Sequence, residues 1–262
     1  MNTLDYERFG GIARLYGIEA FEKISSSHVC IVGIGGVGAW AAESLARSGV
    51  NKITLVDLDD ICITNMNRQP HATTSTIGKQ KVEVMQQRIL DIHPTCVVNI
   101  IQKFYTPNNS EIILEGNYDY LIDSIDEITP KAHLISSCKN LNIPVISCGG
   151  AGGLHDATFI KVADMAKVEN DNLLKRTRTT LRNEYRFPKA TTKKAKNFGV
   201  KCVFSTESPS YPTADGCISE RKSDRQKTKL NCNTGFGSAT HVTASFGLIA
   251  AQMCLEHLSS SE

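Results

Sequence analysis

Short apolar runs alternate, along the first 150 residues, with longer segments whose apolar residues recur at helical spacing. Runs of this length predict buried strands, and the longer periodic segments predict helices. The predicted strands lie near 28–33, 52–57, 96–101, 119–123 and 143–148, and the predicted helices near 37–48, 79–91 and 130–141. Strands and helices that alternate in this way form a mostly parallel sheet with helices on both faces, so the sequence predicts an α/β fold.

The pattern changes after the glycine-rich run at 149–153, which predicts a turn between two parts of the chain. Beyond it, 159–162 and 202–205 have strand character, and 238–258 has apolar residues at helical spacing. We therefore divide the chain into an N-terminal helical segment (1–27), a central α/β domain (28–153) and a smaller C-terminal extension (154–262).

Four glycines connect the first predicted strand to the first predicted helix: Gly33, Gly35, Gly36 and Gly38. Such glycines allow a tight turn, let the backbone approach a phosphate and let the helix pack closely on the sheet. The helix N-terminus adds free N–H groups and a partial positive charge. Asp57 ends the next predicted strand, where a ribose-binding carboxylate is expected. The sequence thus predicts a Rossmann-like nucleotide site without specifying the nucleotide.

The residues after Asp57 favour a triphosphate over a dinucleotide. Arg68 lies in a long polar loop, and Lys81 lies near the start of the next predicted helix, so both cations are expected close to one phosphate site. A helix N-terminus can handle a pyrophosphate, whereas β- and γ-phosphates need Arg or Lys contacts. The same loop carries further candidate hydrogen-bonding groups: Asp59, Asn65, Asn67 and Gln69.

A second set of polar residues follows the strand predicted at 119–123. Ser124 and Asp126 come directly after it, in the crevice where sheets of this kind bind ligands. A carboxylate in that position suits Mg²⁺ held on nucleotide phosphates. We therefore expect Asp126 to be the metal anchor and Ser124 to lie in the nucleotide site.

This ordered set of motifs resembles the adenylation domain of the ubiquitin-activating superfamily, which includes the ThiF- and MoeB-type bacterial adenylyltransferases. The residues that carry the resemblance are the four glycines, Asp57, Asp59, Asn65, Arg68, Gln69, Lys81 and Asp126. The resemblance implies that 28–153 is an ATP-binding adenylation domain. The shared reaction joins a carboxylate to ATP and gives an acyl-adenylate and pyrophosphate.

Three further segments resemble one subfamily, the tRNA threonylcarbamoyladenosine dehydratases: 8–17, 202–207 and 232–240. This resemblance implies an ATP- and Mg²⁺-dependent homodimeric enzyme that cyclises threonylcarbamoyladenosine in tRNA. An acyl-adenylate of the threonyl carboxylate would be the intermediate.

The resemblance also implies roles for single residues. Arg68 and Lys81 would stabilise charge on the transferring phosphates, and Asp57 would bind the ribose. An arginine of the N-terminal helix would reach the nucleotide of the neighbouring subunit, with Arg14 favoured and Arg8 the alternative. Cys232 would be the reactive cysteine; because the ring can close without a thiol, a spectator role stays open.

Positive charge is concentrated in one region, although the net charge of the chain is only +2. Residues 167–201 contain eleven Lys or Arg against three Asp or Glu. The run from Lys175 to Arg186 predicts a basic helix, and a basic loop follows it. Clustered cations of this kind are typical of a surface that binds a phosphate backbone. Together with the resemblance, they predict a tRNA-binding surface; a solvated basic face is the alternative.

The nine cysteines have no close pairs, which is typical of a reduced, cytoplasmic chain. No CxxC pair occurs, so we expect no Cys₄ zinc site. Five of the cysteines lie in apolar surroundings and are predicted to be packing residues: Cys30, Cys62, Cys96, Cys138 and Cys254. The apolar stretch at 246–255 is too short to span a bilayer, so no membrane segment is expected.

Two other functions fit part of the pattern. The chain could adenylate a sulfur-carrier protein or accept sulfur from a cysteine desulfurase, with Cys232 carrying a persulfide. It could also be a nicotinamide-dependent oxidoreductase, although Arg68, Lys81 and Asp126 would then have no role.

Overall fold

A seven-stranded sheet organises the computed structural model, which describes residues 3–189, 196–213, 216–219 and 236–260. Its strands are β1 (His28–Val32), β2 (Lys52–Val56), β3 (Val97–Ile101), β4 (Tyr120–Asp123), β5 (Val145–Cys148), β6 (Ile160–Asp164) and β7 (Lys201–Ser205). Their order in space is β3-β2-β1-β4-β5-β7-β6, and every neighbouring pair is parallel except β6 with β7. The predicted α/β fold with a mostly parallel sheet is confirmed. A separate hairpin joins β8 (Tyr211–Pro212) to β9 (Ile218–Ser219).

The helices of the described residues are α1 (Thr3–Tyr16), α2 (Ile18–Ser26), α3 (Gly38–Arg47), α4 (Lys81–Ile92), α5 (Ser110–Leu114), α6 (Ile128–Asn140), α7 (Asn172–Glu184) and α8 (Thr240–Ser260). The three helices predicted from the central domain correspond to α3, α4 and α6. The short helix α5 was not predicted. The predicted basic helix is α7, but it ends before Arg186, whose positive φ of 58° lies outside the helical region.

The sheet order places three chain segments at one edge. Strand β1 is central and pairs with β2 on one side and with β4 on the other. The direction of the strand order reverses at this point, and the crevice beyond the carboxyl ends of such strands is where these sheets bind ligands. The glycine turn after β1, Asp57 after β2 and Ser124 after β4 therefore meet at the same edge.

The C-terminal extension is built into the central sheet. Strands β7 and β6 continue that sheet beyond β5, and the buried face of α8 packs on α3 and on the central strands. Phe246, Ala250 and Cys254 of α8 are fully buried in the main core. The division of the chain at residues 27 and 153 stays a prediction. Within the described ranges, none of the helices has both the length and the apolar character that crossing a bilayer needs.

Helix α8 approaches α3 closely enough that a side chain would not fit at Gly247. A Cβ there would lie 2.4 Å from the carbonyl oxygen of Val37 and 2.9 Å from the amide nitrogen of Ala41. Both atoms belong to the backbone, which cannot move aside as a side chain could.

Replacing Gly247 by alanine therefore tests this packing. Helix propensity alone would make Gly247→Ala stabilising by about 1 kcal/mol. The clash should instead lower the free energy of unfolding by about 1–3 kcal/mol, as overpacking in a well-packed core does. Gly11→Ala in α1 is the matched control, because its Cβ would meet no atom closer than 4.0 Å and should stabilise the protein. Urea denaturation of both variants measures whether the free energy of unfolding falls for Gly247→Ala and rises for Gly11→Ala. A Gly247→Ala protein that is more stable than the wild type would contradict the close contact between α8 and α3.

Candidate active site

The glycine turn is shaped by close backbone contacts. Gly33 has a φ of +91°, and a Cβ on it would lie 2.9 Å from the carbonyl oxygen of Ser124. A Cβ on Gly38 would lie 1.9 Å from the carbonyl oxygen of Gly33. Around Gly35, by contrast, no atom of the described residues other than its two chain neighbours lies within 4 Å of the Cβ position. The turn is therefore closed on the side of the sheet and open at Gly35, where a phosphate can approach the backbone.

Asp57 supports this turn through hydrogen bonds between its carboxylate and backbone amides. One of its carboxylate oxygens accepts a hydrogen bond from the Ile34 amide at 2.6 Å, and the other accepts one from the Asp59 amide at 2.8 Å. Asp57 is only 7% exposed. It fixes the geometry of the phosphate turn, which sequence reasoning did not foresee, and its predicted contact with a ribose stays a prediction.

The predicted cations lie at the same edge of the sheet and are held in place. The Arg68 side chain covers Gly36, whose Cβ position is 3.2 Å from the Arg68 Cγ atom. Its guanidinium donates hydrogen bonds to the Thr64 carbonyl oxygen at 2.9 Å and to Asn67 Oδ1 at 3.0 Å. The ammonium of Lys81, at the start of α4, forms an ion pair of 2.6 Å with the half-exposed carboxylate of Asp59.

Two of the three side-chain amides in the polar loop, those of Asn65 and Asn67, have hydrogen-bond partners in the protein. Asn65 Oδ1 accepts a hydrogen bond from the Cys62 amide at 3.0 Å, so this buried side chain organises its own loop. Asn67 Nδ2 donates to the Ser238 carbonyl oxygen at 2.8 Å, and the Thr240 hydroxyl donates to the Asn67 carbonyl oxygen. Gln69 is buried, and its Oε1 has no partner among the described residues. Asn67 thereby ties the loop to the start of α8.

Cys232 lies outside the described residues, and the described chain resumes at Phe236. The Phe236 side chain packs against Gly152, and its ring contacts the Tyr211 ring in a tilted arrangement with the centroids 5.3 Å apart. The Gly237 carbonyl accepts a hydrogen bond from the Gly153 amide at 2.7 Å. Helix α8 begins only at Thr240, so Cys232 precedes its first residue by eight positions.

Most other cysteines are packing residues, as predicted. Burial raises the pKa of Cys30, Cys96 and Cys148 to about 12, which keeps these thiols protonated and unreactive. Cys62 differs from the prediction, because it is only half-buried and accepts a hydrogen bond from the Thr64 hydroxyl at 3.3 Å. That hydrogen bond is the main reason that the pKa of Cys62 is lowered.

Asp126 is exposed just beyond β4, next to Ser124, whose amide donates to the Val32 carbonyl oxygen at 2.9 Å. Among the described residues, no three His, Cys, Asp or Glu side chains cluster to hold a metal ion by themselves. A single exposed carboxylate nevertheless suits Mg²⁺, which keeps several waters and is bound through one or two carboxylates and the phosphates of a substrate. The donor set therefore fits a nucleotide-borne magnesium ion.

Sequence reasoning missed a charged pair beneath Asp126. Asp123 and Lys131 are both fully buried and form an ion pair of 2.9 Å. A lysine in an amphipathic helix normally lies on the exposed face, so no pattern in the sequence pointed to this contact.

Arg14 is exposed on α1, and its guanidinium lies along the helix beside Gly10, whose Cβ position is 3.3 Å from Arg14 Nη1. Among the described residues it makes no hydrogen bond or ion pair, and the structure does not bring it to Arg68 or Lys81 of the same chain. Its predicted role in a neighbouring subunit stays a prediction.

The basic helix α7 carries two kinds of cation. The Arg178 guanidinium donates to the carbonyl oxygens of Met165 and Val168 at 3.1 and 2.9 Å, and burial lowers its pKa. Arg182 donates to the Pro188 carbonyl oxygen at 3.1 Å. These two arginines hold the extension together. Lys175 and Arg176 face solvent and are the free cations of the helix, whereas Lys193, Lys194 and the run 221–229 lie outside the described residues.

His71 lies next to the site, in the loop before α4. It lines a cavity of about 390 Å³ and is only 2% exposed, and neither ring nitrogen has a partner among the described residues. Burial, followed by the charges of Lys81 and Arg88, lowers the pKa of His71 to about 3. The imidazole is therefore neutral in the folded protein at ordinary pH.

Comparison with known proteins gives concordant results. The family model of the ThiF family matches residues 10–261. The tRNA threonylcarbamoyladenosine dehydratase of Escherichia coli (strain K12) is 46% identical over 253 residues, which cover 96% of this chain and 93% of the relative.

Two crystal structures of the E. coli tRNA N6-threonylcarbamoyladenosine dehydratase, in complex with ATP and with AMP, each match this chain with a TM-score of 0.86. Their sequence identities are 42% and 43%, and both matches cover 98% of this chain and 96% of the solved one. The resemblance predicted from the motifs is confirmed.

The pH dependence of stability tests the position of His71. The pKa of His71 is near 6.5 in the unfolded chain and about 3 in the folded protein. The contribution of neutral His71 to the free energy of unfolding is therefore complete above pH 6.5 and is lost as the pH falls towards 3. Between these two pKa values, protonation of this group lowers the free energy of unfolding by up to about 1.4 kcal/mol per pH unit. His71→Leu should make the fall in unfolding free energy between pH 7 and pH 4.5 shallower, as measured by urea denaturation. The same change at the exposed His155 is the control, and parallel curves for His71→Leu and the wild type would refute the assignment.

Proposed function

Because this chain belongs to the ThiF family, we propose that it is an ATP-dependent tRNA threonylcarbamoyladenosine dehydratase. The observation that carries the proposal is similarity to that enzyme over 96% of the chain. The similarity includes the extension after residue 153, which an adenylation domain alone would not explain. The ATP and AMP complexes of the relative are consistent with the open phosphate turn found here.

The phosphate turn and the two cations fit a triphosphate. Free amides near Gly35 and the N-terminus of α3 suit its anionic oxygens. Arg68 and Lys81 would stabilise the charge that develops as pyrophosphate leaves, and preplaced donors of this kind are typically worth ~10²–10³ in rate. Asp59 keeps the ammonium of Lys81 beside the turn. Asp126 would hold Mg²⁺, which when bound neutralises phosphate charge.

The chemistry proceeds in two steps. In the first, an oxygen of the threonyl carboxylate attacks the α-phosphorus of ATP, and the bond to pyrophosphate breaks. In the second, the carbamoyl group of the same substrate attacks the activated acyl carbon, loses a proton and expels AMP. The carboxylate oxygen leaves with AMP, so the nucleoside loses one water in total. This balance requires no thiol, and an intermediate on Cys232 stays an additional proposal.

We propose a cytoplasmic homodimer in which Arg14 of one protomer reaches the nucleotide bound to the other. The exposed position of Arg14 on α1 supports this arrangement. A sulfur-acceptor role with a cysteine desulfurase would rest on Cys232 alone, and the comparisons favour the dehydratase.

Lys79 and Lys81 lie two residues apart, so they allow a matched test of the role assigned to Lys81 at the phosphates. Lys81→Met and Asp126→Asn should each lower the rate of AMP release from ATP by ~10²–10³ in the presence of threonylcarbamoyladenosine-bearing tRNA. Lys79→Met, which removes an exposed charge from the same loop, should stay within about twofold of the wild type because Lys79 is not assigned to the phosphates. Equal rates for Lys81→Met and Lys79→Met would sink the assignment, and AMP release without tRNA would favour a protein substrate.

The tRNA surface is tested by the salt dependence of binding. The Lys175→Ala/Arg176→Ala double variant should bind tRNA more weakly, with the slope of log K against log salt reduced by about 1–2, since each phosphate contact contributes roughly one unit. Lys52→Ala removes an exposed lysine from β2, which lies across β1 from β5, β7 and β6, and should leave affinity and slope unchanged. Fluorescence anisotropy at several salt concentrations measures both. An unaltered slope in the double variant would place the RNA on another face.

A further inference from the structure

The ammonium of Lys131 is fully buried, in the second turn of α6. It forms an ion pair of 2.9 Å with Asp123 at the end of β4 and donates a hydrogen bond of 2.8 Å to the Ile125 carbonyl oxygen. Removing an ammonium and a carboxylate from water costs several kcal/mol per ion. Only good geometry and further hydrogen bonds can offset that cost.

Two of the further hydrogen bonds are directed at one residue, Ile125. Asp123 Oδ1 accepts from the Ile125 amide at 3.1 Å, while Asp123 Oδ2 accepts from the Ser147 hydroxyl of β5 at 2.7 Å. Lys131 therefore fixes the carbonyl of Ile125, and Asp123 fixes its amide. Both polar groups of the residue immediately before Asp126 are thus held by the buried pair.

The same segment touches the phosphate turn. The Ser124 carbonyl lies against Gly33. A Cβ on Gly33 would be only 2.9 Å from the Ser124 carbonyl oxygen, so no side chain fits there. A shift of Ser124 or Ile125 would thus change both the turn and the direction in which Asp126 projects. The buried pair is placed where it can set the relative position of the turn and the carboxylate.

A purely stabilising role would not require charges here. A hydrophobic pair of similar volume often gives equal or greater stability than a buried ion pair. Charges do provide directed hydrogen bonds to the backbone, which apolar side chains cannot make.

We propose that Lys131, acting through Asp123 and Ile125, is a positioning residue that sets Asp126 for the magnesium-bound triphosphate. The inference rests on the proposed function, since it assumes that Asp126 faces the metal. Lys131 itself touches neither substrate nor metal.

Lys131→Met tests the proposal with Lys139→Met as the matched control. Lys139 lies two turns further along α6 and also donates to a backbone carbonyl, that of Phe198, but away from the site. Lys131→Arg, which keeps the charge and the donors, is the conservative rescue. If Lys131→Met does not fold, the Asp123→Asn/Lys131→Met double variant is used in its place. This double variant removes both charges, so no unpaired charge stays buried.

Two measurements on the full-length proteins report positioning separately from turnover. The first is ATP affinity by calorimetry, with Mg²⁺ and with a chelator. We expect the gain in affinity from Mg²⁺ to fall roughly tenfold or more in Lys131→Met, the range found when residues that orient metal ligands are removed. Affinity in the chelator should be nearly unchanged. The second is hydrogen exchange of the segment 124–127, which should accelerate in Lys131→Met.

Lys139→Met and Lys131→Arg should behave like the wild type in both measurements. A folded Lys131→Met or double variant that keeps the full gain from Mg²⁺ and slow exchange would overturn the proposal. A wild-type protein that binds no ATP would instead refute the proposed function, so the two failures are distinguishable.

Discussion

The backbone contact between Gly33 and Ser124 is the constraint on which the site depends. Parallel pairing of β1 with β4 brings the ends of both strands together, and a residue with a side chain could not occupy position 33. The contact places the phosphate turn directly against the segment that leads to Asp126. Asp57 fixes the turn from one side, and the pair of Asp123 and Lys131 fixes the segment from the other. Binding and activation of a triphosphate therefore rely on a rigid, mostly buried framework.

The C-terminal extension is joined to this framework at three levels. Strand β7 continues the sheet beyond β5, helix α8 fills the core beside α3, and Asn67 links the polar loop to Ser238. The described chain resumes at Phe236, two residues before the Ser238 carbonyl that Asn67 contacts. The exposed cations of α7 belong to the same extension. Such an arrangement lets one domain bring together ATP and a nucleoside within a large RNA.

The sequence was sufficient for features that depend on local pattern. Apolar runs placed the strands, and the glycines with Arg68 and Lys81 indicated a triphosphate site. It was insufficient where a role depends on a partner distant along the chain. Asp57 is a support for the turn because Ile34 approaches it, and Arg178 is structural because the carbonyls of Met165 and Val168 surround it. Lys131 could not be found, because pairing in a core overrides the usual exposure of lysine.

We infer that this enzyme dehydrates a modified tRNA nucleoside and consumes ATP in doing so. Nucleoside mass spectrometry tests it most directly, on threonylcarbamoyladenosine-bearing tRNA incubated with the protein, ATP and Mg²⁺. We predict a nucleoside lighter by one water, formed only when ATP is present. An unchanged nucleoside, from a protein shown to bind ATP, would contradict the account and would direct attention to a protein carboxylate as the substrate.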